Sequence, residues 1–226
     1  MLSTTLSPAL GRNFVPTPVL TPAPARTLAA AQRLRYDVYC LERHFEDASR
    51  FPDERERDAH DPYSIHLAAT DHAREVVATV RLVLDSPLGF PLEAYVKRLF
   101  PEFDSLPRDR TAEISRLAVA KPYRHLEPDT RDYPLLFGLF LEIYRASSQQ
   151  GLEHLLAVME RSLWRLLRRF GLAFYQIGEP VEHRGERIPF VAEVRALGAQ
   201  YGRLEAALRT HAARRPYAFD YEAVAA

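Results

Sequence analysis

Residues 111–120 read Thr-Ala-Glu-Ile-Ser-Arg-Leu-Ala-Val-Ala, a strand pattern in which ionisable side chains interrupt an apolar run. Successive side chains of a strand point to opposite faces, so Glu113 and Ser115 are expected on one side and Arg116 on the other. A glutamate and an arginine buried in a sheet are costly unless paired. A structural ion pair is one reading of the stretch, and a polar cleft within the sheet is another. Residues 75–84, Glu-Val-Val-Ala-Thr-Val-Arg-Leu-Val-Leu, form a second valine-rich strand with Arg81 in its middle. Two arginines and a glutamate on central strands exceed what a plain apolar core tolerates, which favours the cleft.

Around these two strands the chain alternates in type. Leu28, Ala31, Leu34, Val38, Leu41 and Phe45 recur at helical steps behind Thr27, a candidate N-cap. A charged loop follows over 46–62. Alternating Ile65, Leu67 and Ala69 predict a strand joined to the next by a turn at His72-Ala73-Arg74. Residues 92–100 suggest a short amphipathic helix, and 134–146, apolar nearly all round, a buried one. The remainder reads as strand 155–159, helix 160–170, strand 172–177, a polar turn at Arg184-Gly185-Glu186, strand 188–194 and helix 202–214. Strands interleaved with helices imply an α/β or α+β domain with a mainly central sheet and helices on both faces. Residues 1–26, with five prolines and little charge, read as an arm, and 27–226 as one domain.

Composition narrows the function. The 226 residues are 47% hydrophobic and 27% charged, with 30 basic against 30 acidic side chains. Such neutrality speaks against a chain-wide nucleic-acid surface. One cysteine, Cys40, excludes an internal disulfide or a cysteine-built zinc site and suits a reducing, cytoplasmic compartment. No apolar run approaches the roughly 20 residues of a membrane span, and no signal peptide is visible. Nucleophile-elbow, Walker, dinucleotide-glycine and HExxH motifs are absent, so no bound metal or tightly held cofactor is expected.

Two further groups carry chemistry. Arg35 and Tyr39 lie one turn apart on the first helix, and Glu56, Asp58 and Asp61 crowd the charged loop. Carboxylates stabilise an ammonium and can accept its proton, so this loop is a candidate mouth for an amine. In their order and spacing, Arg35-x-x-x-Tyr39, Phe45, Glu56-x-Asp58-x-x-Asp61, Arg81 and Glu113-x-Ser115-Arg116 resemble the signature of the acyl-homoserine lactone synthases. Tyrosine and phenylalanine replace that family's phenylalanine and tryptophan at two positions of its S-adenosylmethionine pocket. The stretches RYDVYCLE (35–42) and EISRLAVAKPYR (113–124) are similar to N-acyl amino acid synthases and to acyltransferases associated with PEP-CTERM/exosortase systems.

The resemblance implies the GNAT fold, a mixed and mostly antiparallel sheet in which two parallel strands splay apart to admit an acyl thioester. Here these would be 111–120 and 155–159. It implies an N-acyltransferase with a thioester co-substrate and an amine acceptor such as an amino acid. The glycine-rich pyrophosphate loop used by CoA-dependent members is missing after Val119, which points to acyl carrier protein as donor. Arg161, Arg165, Arg168 and Arg169 share one face of the helix 160–170, a candidate landing strip for an acidic carrier. Glu113 is the expected base, Arg116 and Glu56 its catalytic neighbours. Phe137, Phe140, Leu156 and Val158 are expected along the acyl tunnel. Arg35, Tyr39, Phe45, Asp58, Asp61, Arg81 and Ser115 are expected at the acceptor, with Arg81 free for an acceptor carboxylate. The rival readings are a lactone synthase using S-adenosylmethionine and a non-catalytic acyl-binding module.

Overall fold

The computed structural model describes residues 25–103, 105–124, 134–200, 202, 206 and 220–225. Residues 1–24 of the expected arm and most of the expected helix 202–214 lie outside the described residues. Helix α1 (Ala25–Tyr36) buries Ala31 and Leu34. It is already under way at Ala25, and Thr27 is a buried helical residue rather than its cap. Without a break α1 runs into a π-helical turn, Asp37–Glu42, closed by the Arg43 N–H on the Val38 carbonyl at 3.0 Å. Such wide turns recur at functional sites because the extra residue re-aims a side chain. Here Tyr39 reaches across to donate its hydroxyl to the Leu117 carbonyl at 2.8 Å.

Strands β1 (Ser64–Thr70), β2 (Val76–Leu84) and β3 (Thr111–Val119) form an antiparallel meander. The turn between β1 and β2 holds Arg74 at φ 65°. After β3 come helix α2 (Pro134–Gln149), strand β4 (His154–Met159) and helix α3 (Arg161–Arg169). Short strands β5 (Tyr175–Gln176) and β6 (Val181–Glu182) precede β7 (Glu186–Glu193), helical residues 194–200 and β8 (Asp220–Ala225). The sheet order is β5-β7-β4-β3-β2-β1-β8, with β6 paired to β7. Among the described residues all pairings are antiparallel except β3 with β4.

The expected helix over 92–100 is not formed. Pro91–Ala94 makes a single 3₁₀ turn, and Leu99 instead bridges to Gly178. Strand 172–177 shrinks to Tyr175 and Gln176, the residues that pair in register with β7, while Leu172 and Phe174 are buried in the core. Helices α2 and α3 cover one face of the sheet, packing Phe140, Ile143 and Leu167 against Ile65, Leu82, Ile114 and Ala157. The other face is covered by α1 and by the segment carrying Phe90, Leu92 and Val96. Phe137, expected to line an acyl tunnel, spends its ring on Phe170, 4.1 Å away between centroids. Leu156 is opposite Glu113 in register, so alternation turns it to the far face among Leu92, Ile177 and Val191.

Candidate active site

Strands β3 and β4 pair in parallel only from Thr111↔His154 to Ile114↔Ala157, and beyond that they part. Unpaired neighbouring strands leave an opening through the sheet, and a cleft of about 450 Å³ fills it. Its walls come from both faces. Leu135, Leu136, Phe140, Ala157, Met159 and Leu163 make one side apolar. Tyr39, Phe45, Tyr95, Glu113, Ser115 and Arg116 line the other. Val158 also contributes, so two of the four expected tunnel residues, Phe140 and Val158, are at the cleft, while Phe137 and Leu156 are not.

The direction of Arg116 depends on a β-bulge. Ser115 pairs with Arg81 and Ala118 with Thr79, which leaves Arg116 and Leu117 opposite Val80 alone. A bulge bends the strand and re-aims the extra side chain. At φ 52° Arg116 adopts a backbone shape uncommon for a non-glycine residue. The strict alternation that would send it to the face opposite Ser115 therefore fails. Arg116 turns back to the loop carboxylates, its Nε on Glu56 Oε1 at 3.1 Å and its Nη2 near Asp58 Oδ2 at 3.0 Å and Glu46 Oε1 at 3.4 Å.

Behind it lies a closed ion network. Arg35 donates its Nε to Glu56 and its Nη1 to Asp61 at 2.9 Å. Arg81 donates its Nε to Ser115 Oγ at 3.0 Å and its Nη1 to Asp58 at 2.6 Å and also to Asp61. Arg35 and Arg81 are 0% and 1% exposed, so each needs these partners to offset its burial. The arginines hold Asp58 and Asp61 below the usual carboxylate range against the opposing effect of burial. Glu56, Asp58 and Asp61 are absent from the cleft wall, and each is bound by arginine, although Asp61 Oδ2 has no hydrogen-bond partner. They are not a mouth for an amine. Nor is Arg81 free for an acceptor carboxylate, and Glu56, buried between Arg35 and Arg116, is not placed to exchange protons with a bound molecule. The loop instead holds Arg116 against the cleft, where its guanidinium covers the Tyr39 ring at 5.6 Å.

Glu113 is the opposite case. It is 1% exposed and lines the cleft, and the Leu92 N–H donates to its Oε2 at 2.8 Å. Burial outweighs that bond and the more distant charges of Arg81 and Arg116, and pushes its carboxyl up to about 8. Among the described residues no arginine or lysine forms a salt bridge with it. A carboxyl poised near neutrality, facing a cleft, has the acidity of a general base or acid.

Residues that the sequence did not single out complete the cleft. Tyr95 stacks flat on His183 at 3.9 Å, and Arg184 and Arg187 place their guanidinium groups 5.8 and 5.9 Å from the Phe45 ring centre. Arg184 also reaches Glu46 across 138 positions of sequence. Nothing in the local pattern of 183–187 marks these residues, which read as a polar turn. Among the described residues no group of histidine, cysteine and carboxylate side chains is arranged to hold a metal ion, and no helix is long and apolar enough to cross a membrane.

A mixed sheet whose two parallel strands diverge over a cleft, with helices on both faces, defines the GNAT acyltransferase fold. In agreement, residues 34–128 match the family model described as the acetyltransferase (GNAT) domain. Among solved structures, the CoA-dependent acyl-homoserine lactone synthase BjaI, with SAM and isopentyl-CoA, is similar at 24% identity and TM-score 0.64, over 80% of this chain and 83% of that one. The AHL synthase LasI aligns at 22% identity and TM-score 0.59, covering 79% and 89%. FeeM, an N-acyl amino acid synthase from uncultured soil microbes, aligns at 15% identity and TM-score 0.52, covering 80% and 97%. These likenesses establish the fold. No match is found among curated proteins.

Proposed function

We propose that the protein is an N-acyltransferase that moves an acyl group from a thioester to the amine of an amino acid. The observation that carries this is the cleft itself, which joins an apolar wall on one face of the sheet to Glu113 and Arg116 on the other. An acyl chain packs along Leu135, Phe140, Met159 and Leu163, and its thioester carbonyl comes to the gap between β3 and β4. The acceptor enters from the Tyr39, Phe45 and Tyr95 side. An ammonium must lose a proton before its nitrogen attacks the carbonyl, and Glu113, in its ionised form, accepts that proton directly or through water. Attack forms the carbon–nitrogen bond, and collapse of the tetrahedral adduct breaks the carbon–sulfur bond and expels a thiolate, which leaves as the thiol by taking up the proton that the nitrogen sheds on becoming an amide. Backbone N–H groups on strand edges that the split leaves facing the cleft are suited to the developing oxyanion.

We take the donor to be acyl carrier protein in the cytoplasm. Arg161, Arg165, Arg168 and Arg169 are all exposed on α3, whose Leu163 and Leu166 line the cleft, so a carrier seated on these charges brings its pantetheine arm to the right end. The segment after Arg124, where a pyrophosphate loop would be sought, lies outside the described residues. The likeness to a CoA-dependent synthase keeps acyl-CoA as the competing donor. It also favours a second reading, acylation of S-adenosylmethionine with lactone formation, which leaves methylthioadenosine.

The test is incubation with acyl carrier protein or CoA charged with medium and long acyl chains, together with pooled amino acids or S-adenosylmethionine. Mass spectrometry is expected to show N-acyl amino acid. Methylthioadenosine would establish the lactone reading. No product from any donor and acceptor would reduce the protein to an acyl-binding module.

A further inference from the structure

The hairpin between β6 and β7 ends in His183-Arg184-Gly185, with Arg184 at φ 59° and Gly185 at φ 95°. The Gly185 N–H donates to Glu182 Oε1 at 2.9 Å, which locks the tip. Consecutive tip residues then reach different aromatic rings of the cleft. His183 lies flat on Tyr95, while Arg184 covers Phe45 and binds Glu46. Burial and the surrounding arginines lower the His183 pKa, so at neutral pH this ring is an uncharged spacer. The positive charge at the tip belongs to arginine.

That charge is incompletely matched. Glu46 is shared by Arg116, Arg184 and the exposed Arg50. A guanidinium carries five N–H donors, so one carboxylate cannot satisfy the groups that converge on it. Arg187 adds a guanidinium on Phe45 and has Glu160 at 3.1 Å as its partner. Arg43, also on the cleft wall, forms no salt bridge among the described residues. Tyr95 lines the same cleft as Glu113, Arg116, Arg184 and Arg187 and feels the charge of all four. The cleft wall therefore carries a proton acceptor, an aromatic ring and a patch of spare guanidinium donors together.

The geometry points to a carboxylate subsite at the hairpin tip, formed by Arg184 with Arg43, that selects acceptors bearing an acid beside their amine. This rests on the acyl-transfer reading and deepens it by assigning acceptor choice to the tip. The acceptor amine lies toward Glu113, its carboxylate replaces or joins Glu46 on Arg184, and Phe45 and Tyr95 flank the chain between. Bidentate arginine–carboxylate contacts supply both affinity and orientation.

Binding separates this subsite from turnover. The probes are N-dodecanoylglycine and its primary amide, which differ only in the carboxylate, titrated by calorimetry against the full chain. The wild type is expected to bind the acid about tenfold or more tightly than the amide, the range of one charge-assisted contact. Arg184→Asn, chosen because asparagine tolerates positive φ, should abolish the preference, and Arg43→Gln should reduce it. Arg184→Lys should restore part of it, and its melting curve together with that of Arg43→Gln controls for misfolding. Equal affinities in the wild type, no binding of either probe, or a preference that survives both Arg184→Asn and Arg43→Gln would each overturn the subsite. Acid preference without any turnover would overturn the acyl-transfer reading alone. Turnover that ignores the acceptor carboxylate would overturn the subsite alone.

Discussion

Glu56 and Glu113 are each 1% exposed, yet their surroundings differ completely. Glu56 is clasped by Arg35 and Arg116, whereas Glu113 has a single backbone N–H from Leu92. Asp58 and Asp61, in the same network as Glu56, are held well below the usual range by arginine, while burial raises Glu113 to about 8. Burial alone does not decide ionisation. The decisive difference is whether a guanidinium is within hydrogen-bond reach. The network spends its charges on structure, and the isolated carboxyl keeps a proton it can exchange near neutral pH.

The sharpest way to break this contrast is Glu113→Gln. The amide keeps an acceptor for the Leu92 N–H but cannot titrate, so acyl transfer is expected to fall by about 10²–10⁴-fold with the fold intact. Steady-state rates beside a melting curve check it, and an active variant would remove Glu113 as the base. On the other side, Asp61→Asn weakens the hold on both Arg35 and Arg81. Breaking a buried pair of this kind costs about 3–5 kcal/mol, to be read by urea unfolding. A loss under about 1 kcal/mol, the scale of an exposed pair, would show that the network is not a structural keystone.

Proton titration sharpens the same comparison. Glu113 ionises near 4.5 when unfolded and near 8 when folded, so between these values the native state binds more protons than the unfolded one. Wild-type stability should then decline relative to Glu113→Gln as pH rises from about 4.5 to 8 and level off above, while the acyl-transfer rate climbs through about 8. Asp58 and Asp61 act in reverse. Their contribution is present above about 3.8, their unfolded value, and is lost as pH falls toward their lowered native values. Parallel melts across pH 3–9 test both signs. The smallest effect on the fold is expected at α3. Arg161→Glu with Arg165→Glu should change stability by no more than about 0.5 kcal/mol per site, since both side chains are exposed. The pair should slow transfer from acyl carrier protein and leave transfer from acyl-CoA unchanged, and equal effects on both donors would dissociate the arginines from carrier docking.

Much of this architecture was legible in periodicity. The alternation in 64–70 and 76–84, the apolar run 134–146 and the amphipathic 160–170 all form the elements their patterns imply. Where a pattern was short or mixed, tertiary contacts overrode it. The stretch after Leu92 surrenders its helix to a sheet-edge bridge at Leu99 and to the Leu92 N–H bond with Glu113. The motif residues were visible as well, but their directions were not. Alternation cannot foresee that a bulge at Arg116 sends it to Glu56, or that the loop carboxylates are consumed by three arginines from 35, 81 and 116. Phe137 and Phe140 look alike in sequence, and each packs edge-on against another ring, Phe170 and Phe174 respectively, but only Phe140 also meets the cleft.

By itself the sequence determined the long, strongly periodic helices and strands, and that ionisable groups had to meet inside the sheet, because periodicity and the cost of burying charge are local properties of the chain. Only the tertiary structure decided which carboxyl remained unpaired, and it brought Arg184 to Glu46 from 138 residues away. Pairing of charges depends on distances in space that a strand's parting from its neighbour, a bulge and a hairpin tip set jointly, and no stretch of sequence encodes those alone.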